Sequence, residues 1–200
     1  MKTNTIVLGS VFLLLFILFV NGCNTRNSLV EKDVEVTQAW HQVENQYQRR
    51  MDLIPNLVAV VKNYADFEKS TLEGVIAARA KATQITIDPS KLDEASIQKF
   101  QQAQSAVSSS LGRLIAVAES YPNLKANENF MGLQTQLEGT ENRITTARND
   151  YNDIVGKYNK SIRLFPANIW AGMFGFHERQ FFEMKDGADT APDVNTMFKK

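Results

Sequence analysis

Residues suited to chemistry are scarce in this chain of 200 residues, which has one cysteine and two histidines. His41 and His177 lie far apart, and neither is expected to form a ligand set with a carboxylate or a second histidine. There is no HExxH pattern, no glycine-rich phosphate loop and no GxSxG elbow. Bundles that hold two irons use inward glutamates and Glu-x-x-His sets, and no glutamate here is followed three residues on by histidine. Adjacent acids such as Asp93 and Glu94 diverge by about 100° on a helix, so they do not share a site. No catalytic, cofactor-binding or metal-binding residue is expected, and the chain reads as non-enzymatic. An excess of one charge is missing too, because 22 basic residues balance 22 acidic ones. Without a dense Lys/Arg patch the chain has little means of neutralising phosphates, which argues against nucleic acid as a partner.

One long apolar run is present. Residues 6–20 are all apolar or small, they follow a single basic residue, Lys2, and the only cysteine stands just beyond them in Val20-Asn21-Gly22-Cys23. A basic start, an apolar stretch of this length, a small residue and a cysteine resemble a bacterial lipoprotein signal, which is removed so that Cys23 becomes a lipidated first residue. As a helix the run rises about 22 Å, short of the roughly 30 Å of hydrocarbon in a bilayer. Asn21 departs from the pattern, because such signals favour a small or branched apolar residue there. Residues 1–22 therefore read as a lipoprotein-type signal peptide or as a retained membrane anchor. Cleavage would leave 178 residues, with 21 basic and 22 acidic side chains and no free thiol, enough chain for one domain with a sizeable core. No polybasic run follows, so membrane attachment is expected at the N terminus, with a leash of about 14 Å between Cys23 and the first helix.

From residue 27 onward, apolar positions recur at helical spacing almost throughout. A first helix over 27–51 carries Leu29, Val36, Trp40, Val43 and Tyr47, with Asp33 interrupting the row and Arg49 and Arg50 near its end, where cations suit the helix dipole. Asp52 and Pro55 mark a new helix or a sharp kink, since proline is tolerated in a first turn and disruptive later. The second helix carries Leu57, Val58, Val61, Tyr64, Ala65, Leu72, Val75 and Ile76 toward about residue 82, before Asp88-Pro89-Ser90. A third, over 92–119, buries Phe100, Ala103, Val107, Leu111, Leu114 and Val117, with Ser108-Ser109-Ser110 as a small-residue face. Tyr121-Pro122 opens or kinks the last helix, over 123–165. There Phe130, Leu137, Ile144, Tyr151, Tyr158 and Phe165 repeat every seven residues, with Leu133, Thr140, Ala147 and Ile154 offset by three. A strict seven implies left-handed supercoiling, as in a coiled coil. The expected fold class is all-α: an elongated antiparallel four-helix bundle, about 60 Å long, behind the N-terminal signal or anchor segment.

Gln48-Arg49-Arg50-Met51-Asp52-Leu53-Ile54-Pro55-Asn56-Leu57-Val58, Val61-Lys62-Asn63-Tyr64-Ala65 and Ala77-Ala78-Arg79-Ala80 resemble the N-terminal half of the LemA family. Tyr121-Pro122-Asn123-Leu124-Lys125-Ala126-Asn127, Thr140-Glu141-Asn142-Arg143-Ile144, Tyr151-Asn152, Tyr158-Asn159 and Phe165-Pro166 resemble its C-terminal half. The resemblance covers about 40–182 and places a LemA-like helical bundle at 23–182. It implies a bacterial envelope protein with an N-terminal membrane segment, some members carrying a lipoprotein-type cysteine. It implies no catalytic residue set.

Three groups of residues invite an interaction reading. Glu44, Gln48, Arg49, Arg50 and Asp52 either cap helix ends or meet a charged partner. The Tyr-Asn pairs at 151–152 and 158–159 return to one helix face, as a structural network between helices or as a ligand site. After residue 165 the chain is rich in phenylalanine, and Gly172 and Gly175 predict a turn with a short helix or irregular cap. This segment either packs on a bundle end or exposes an apolar patch to a membrane or partner. Trp170, Phe174, Phe176, Phe181 and Phe182, with Arg49 and Arg50, form the candidate partner surface. Residues 183–200 read as a mobile tail.

The expected function is that of a membrane-tethered, non-enzymatic scaffold, adaptor or sensor partner in the bacterial cell envelope, with the bundle outside the cytoplasm. It would be attached through lipidated Cys23 or the N-terminal helix and would meet an unidentified envelope protein. The alternative is a ligand- or peptide-binding module using the bundle core. That alternative predicts a void lined by Tyr151, Tyr158, Trp40 or Tyr47 with stranded polar groups. A scaffold predicts a filled core and an apolar surface near 169–182.

Overall fold

A computed structural model describes residues 2–64, 67–89 and 92–182. Their regular structure is entirely helical: α1 spans Lys2–Lys62, α2 Lys69–Thr83, α3 Glu94–Ala118, α4 Pro122–Lys125, α5 Glu128–Arg163 and α6 Ala167–Phe174. The expected tail at 183–200 lies outside the described residues.

The largest departure from expectation is α1. Its 61 residues form one helix, about 90 Å long, so Cys23 sits inside a helix and the expected leash is absent. The expected break at Asp52 and Pro55 is absent as well. Asp52 caps nothing there; it accepts a hydrogen bond from Gln48 one turn back, at 2.8 Å. Pro55 lacks the N–H that would reach the Met51 carbonyl. Arg79 of α2 takes that place, its Nε donating to the Met51 oxygen at 3.0 Å, so the helix passes the proline without stranding an acceptor. The break falls instead between α1 and α2, which moves Leu57, Val58 and Val61 into α1.

α3 follows its expected course. Asp93 caps it, accepting from the Ser96 N–H at 2.8 Å, and Phe100, Ala103, Val107, Leu111 and Leu114 are buried, while Ala118 rather than Val117 completes the row. Pro122 opens only the single turn of α4, and Asn127 then caps α5 by accepting from the Phe130 N–H at 3.1 Å. Phe130, Leu137, Ile144, Tyr151 and Tyr158 are buried along α5, but Phe165 lies beyond the helix end and is 79% exposed. In the second row Thr140 is fully buried. Leu133, Ala147 and Ile154 are only partly buried, whereas Val155 and Ile162, four residues after each tyrosine, are buried.

α5 packs along α1 in the opposite direction: Arg50 meets Glu141, and Leu29 shares a cluster with Ile162. One core cluster joins Met51, Ile54, Leu57 and Val61 to Val75 and Ala82 of α2, Val107, Leu111 and Leu114 of α3, and Phe130 and Leu137 of α5. The second joins Leu29, Val36, Trp40, Val43 and Tyr47 to Ile97 and Phe100 of α3 and to Ile144, Tyr151, Val155 and Tyr158 of α5, with no residue of α2. With 15 residues, α2 spans only about 22 Å. Ile87 and Leu92 of the α2–α3 connection, together with Phe182, fill the place it leaves.

Candidate functional site

After α6 the chain turns at Gly175, whose φ of 76° lies in the left-handed region glycine favours. It then returns along α5 as an irregular strap, residues 176–182. The Asn152 Oδ1 accepts from the Phe182 N–H at 2.8 Å, and its Nδ2 donates to the Phe182 carbonyl at 3.1 Å. Asn159 repeats the arrangement with Arg179, at 2.9 and 2.8 Å. The Tyr151 and Tyr158 hydroxyls donate to the carbonyls of Gln180 and His177, each at 2.9 Å. Each carboxamide thus stands in for a neighbouring strand.

Spacing explains why a heptad suits this task. Seven helical residues rise about 10.5 Å, and three extended residues span about 10 Å. Positions 152 and 159 therefore meet 182 and 179, while 151 and 158 meet 180 and 177. The Tyr-Asn repeat, open in sequence to a structural or a ligand role, holds this chain's own backbone. Burial pushes the Tyr151 phenol far above its ordinary range, against the opposing charge of Arg179. Burial raises Tyr158 as well, with Asp33 adding to it. Asp33, the acid that interrupts the apolar row of α1, accepts from Arg179 Nη2 at 2.8 Å and Nε at 3.1 Å.

Arg50 lies between the two core clusters and is 2% exposed. Its Nη1 donates to Ser108 Oγ at 2.7 Å and Glu141 Oε2 at 2.9 Å, and its Nη2 donates to Gln104 Oε1 at 2.6 Å and to the Gln104 carbonyl at 3.1 Å. The guanidinium also stands 5.1 Å from the Tyr47 ring centroid. Arg50 therefore ties α1 to α3 and α5 and is withdrawn from the expected partner surface. Arg49 remains exposed. His41 does have a carboxylate neighbour, contrary to expectation, because its Nδ1 lies 2.9 Å from Glu44 Oε2 as an exposed pair one turn apart. Among the described residues, no three His, Cys, Asp or Glu side chains converge on a metal-sized site.

The aromatic part of the expected surface divides. Phe182 is buried, stacked on Trp40 with centroids 5.6 Å apart, and Phe176 packs partly against the core. Phe174 and Phe181 are exposed, as are Ile169 and Met173. Trp170 covers Gly22 of α1, where an added Cβ would stand 2.9 Å from the indole. Trp170 also stacks on Phe174 at 6.1 Å, and the Arg26 guanidinium stands 5.8 Å from the Phe174 ring. Cys23 is exposed beside Gly22. An open groove of about 720 Å³ runs between α1 and α5, lined by Glu35, Gln42, Gln46, Arg143, Asp150 and Lys157 among others. None of Trp40, Tyr47, Tyr151 and Tyr158 lines it. Buried Trp40 Nε1 nevertheless finds no hydrogen-bond partner among the described residues.

These features define a protein whose described residues form a helical body closed by the strap at 176–182, and whose first helix is long and apolar enough to cross a membrane. The model of the LemA family matches residues 39–196, and the chain belongs to that family. It is 29% identical over 191 residues to Magnetosome protein MamQ 2 of Paramagnetospirillum magneticum, covering 87% of this chain and 70% of that protein. It is 28% identical over 160 residues to Magnetosome protein MamQ of Magnetospirillum gryphiswaldense, covering 72% and 59%. Protein LemA of Metamycoplasma hominis is 24% identical over 180 residues, covering 88% of this chain and 78% of that protein.

Proposed function

We propose that this LemA-family protein is a membrane-tethered, non-enzymatic scaffold or adaptor of the bacterial cell envelope, its helical bundle held outside the cytoplasm by a retained N-terminal helix. The observation that carries this reading is the change of exposure along α1. Leu8, Phe12, Leu15, Phe16 and Phe19 are exposed, whereas Leu29, Val36, Trp40 and Val43 are buried. Residues 3–25 carry no charge and rise about 35 Å as a helix, enough for the hydrocarbon of a bilayer.

Gly22 supports retention, because cleavage before Cys23 would remove the residue on which Trp170 rests. The rival mounting is a lipid on Cys23. Intact mass of the purified protein separates the two: a retained anchor keeps residues 1–22, and a lipoprotein loses them and gains acyl chains. Photo-crosslinkers at Phe181 and Arg49 in living cells should capture an envelope protein. Capture of none, together with a small molecule that co-purifies, would sink the scaffold reading.

The Tyr-Asn ladder favours a second reading, a peptide-binding module, because its contacts recognise extended backbone with little regard to side chains. A labelled peptide of residues 176–182 should then bind a chain truncated after Gly175 and ignore the full chain.

A further inference from the structure

Three contacts order the returning chain along α1: Arg179 meets Asp33, Phe174 meets Arg26, and Trp170 meets Gly22. Traced in that order, the returning chain approaches the exposed apolar stretch of α1. The reversal between α5 and α6, residues 164–166, therefore lies at the extreme of the body on that side. Apolar side chains of the reversal and of α6 face outward, with Leu164 54%, Phe165 79%, Ile169 54% and Met173 69% exposed. Phe165, Ile169 and Met173 are spaced by four. Ala171, on the opposite side of the short helix, is buried.

The depth of this patch is set by charge. After Lys2, the first charged residue of the chain is Arg26, so a membrane-crossing α1 leaves the hydrocarbon at about Gly22 to Arg26, the level occupied by Trp170 and Phe174. Tryptophan is enriched at that boundary. Arg26 and the last-turn cations of α5, Lys160 and Arg163, suit anionic headgroups there. Glu178 lies 3.6 Å from Arg163 as an exposed pair. Phe16, Phe19 and Val20, which precede Gly22 by two to six residues on α1, are exposed as well, which favours lipid over a separate protein as the cover of the patch.

We infer that the reversal between α5 and α6 is a lipid-docking tip. Leu164, Phe165, Ile169 and Met173 enter the boundary of the bilayer that α1 crosses, and Trp170 joins them to α1 over Gly22. This inference rests on the membrane-crossing reading of α1. It adds a second point of attachment, so that the bundle is held at a fixed tilt and rotation.

The test uses the full chain with Cys23→Ala as background, which leaves no other thiol. Met173→Cys, Leu14→Cys and Lys69→Cys variants carry a nitroxide, in vesicles of phosphatidylcholine with a minority of phosphatidylglycerol. Collision rates with oxygen and with a water-soluble nickel chelate report depth. The expected result is oxygen ahead of nickel at Met173 and further ahead at Leu14, with the reverse at Lys69. A Met173 label as open to nickel as Lys69, while Leu14 stays lipid-embedded, overturns the docking tip and leaves the anchor standing. A Met173 label shielded from both probes means a protein covers the patch, and it overturns the tip too. A Leu14 label in water defeats the anchor reading and this inference with it.

Discussion

The two halves of the helical body close the same kind of gap with different materials. Away from the apolar end of α1, the core draws on α1 to α5 and takes mostly aliphatic side chains, among them Ile54, Leu57, Val75 and Leu114. Toward that end α2 is missing, and aromatic rings take up the volume. Trp40 meets Phe100 and Tyr151 edge-on, at 5.3 and 5.9 Å, and stacks on Phe182 at 5.6 Å. The difference lies in the backbone. A helix satisfies its own N–H and C=O groups, whereas an irregular strap must find partners for them elsewhere. Asn152, Asn159, Tyr151 and Tyr158 supply those partners, which is why polar groups sit beside the buried row of α5.

The sharpest way to break this comparison is at Trp40. Trp40→Ala should cost about 3–5 kcal/mol in denaturant unfolding and should expose the amides of Arg179 and Phe182 to hydrogen exchange. Leu57→Ala should cost about 2–5 kcal/mol yet leave those two amides protected at denaturant levels where the fold persists. Equal loss of protection in both variants would mean that the halves do not act separately.

A smaller effect tests the proline of the half closed by α2. Arg79→Ala should cost about 1–3 kcal/mol, because it strands the Met51 carbonyl. In a Pro55→Ala background the helix regains its own donor for that carbonyl, so the Arg79→Ala penalty should shrink by about 1 kcal/mol. Additive losses in this double-mutant cycle would show that Arg79 acts by packing alone. On the strap side, Asn152→Ala should cost about 1–2 kcal/mol, read as lower stability and faster exchange at Phe182 than at Arg179.

The mildest perturbation is alkaline pH. Burial raises the phenols of Tyr151, Tyr158 and Tyr47 above their ordinary value of 10.0. Above that pH the unfolded chain loses these protons while the folded chain keeps them, so the unfolded state binds fewer. Stability is then complete below pH 10 and falls as pH rises beyond it. Tyr158→Phe should flatten that fall in a pH series of unfolding midpoints. An unchanged slope would remove Tyr158 from the account.

Periodicity made the buried faces of α3 and α5 legible, because both depend on local spacing alone. It failed at Pro55, where the donor that rescues the helix comes from Arg79 on another element. Arg49 and Arg50 look alike in sequence, and only the placement of Gln104, Ser108 and Glu141 tells which one is buried. The strap has no period to read. Its traces were an acid in an apolar row, Asp33, and two Tyr-Asn pairs one heptad apart. Gly22 carried no signal beyond its small size, since the demand for it comes from Trp170.

The ladder also behaves as a vernier. One residue added to the strap between Arg179 and Phe182 cannot be absorbed, because the two asparagines would no longer reach both amide pairs. An insertion of seven residues in α5 between Asn152 and Asn159, matched by three in the strap and by seven in α1 between Asp33 and Trp40, keeps the scale aligned. Length changes in this half should therefore come in linked steps of seven and three, while the half closed by α2 answers to helical turns alone.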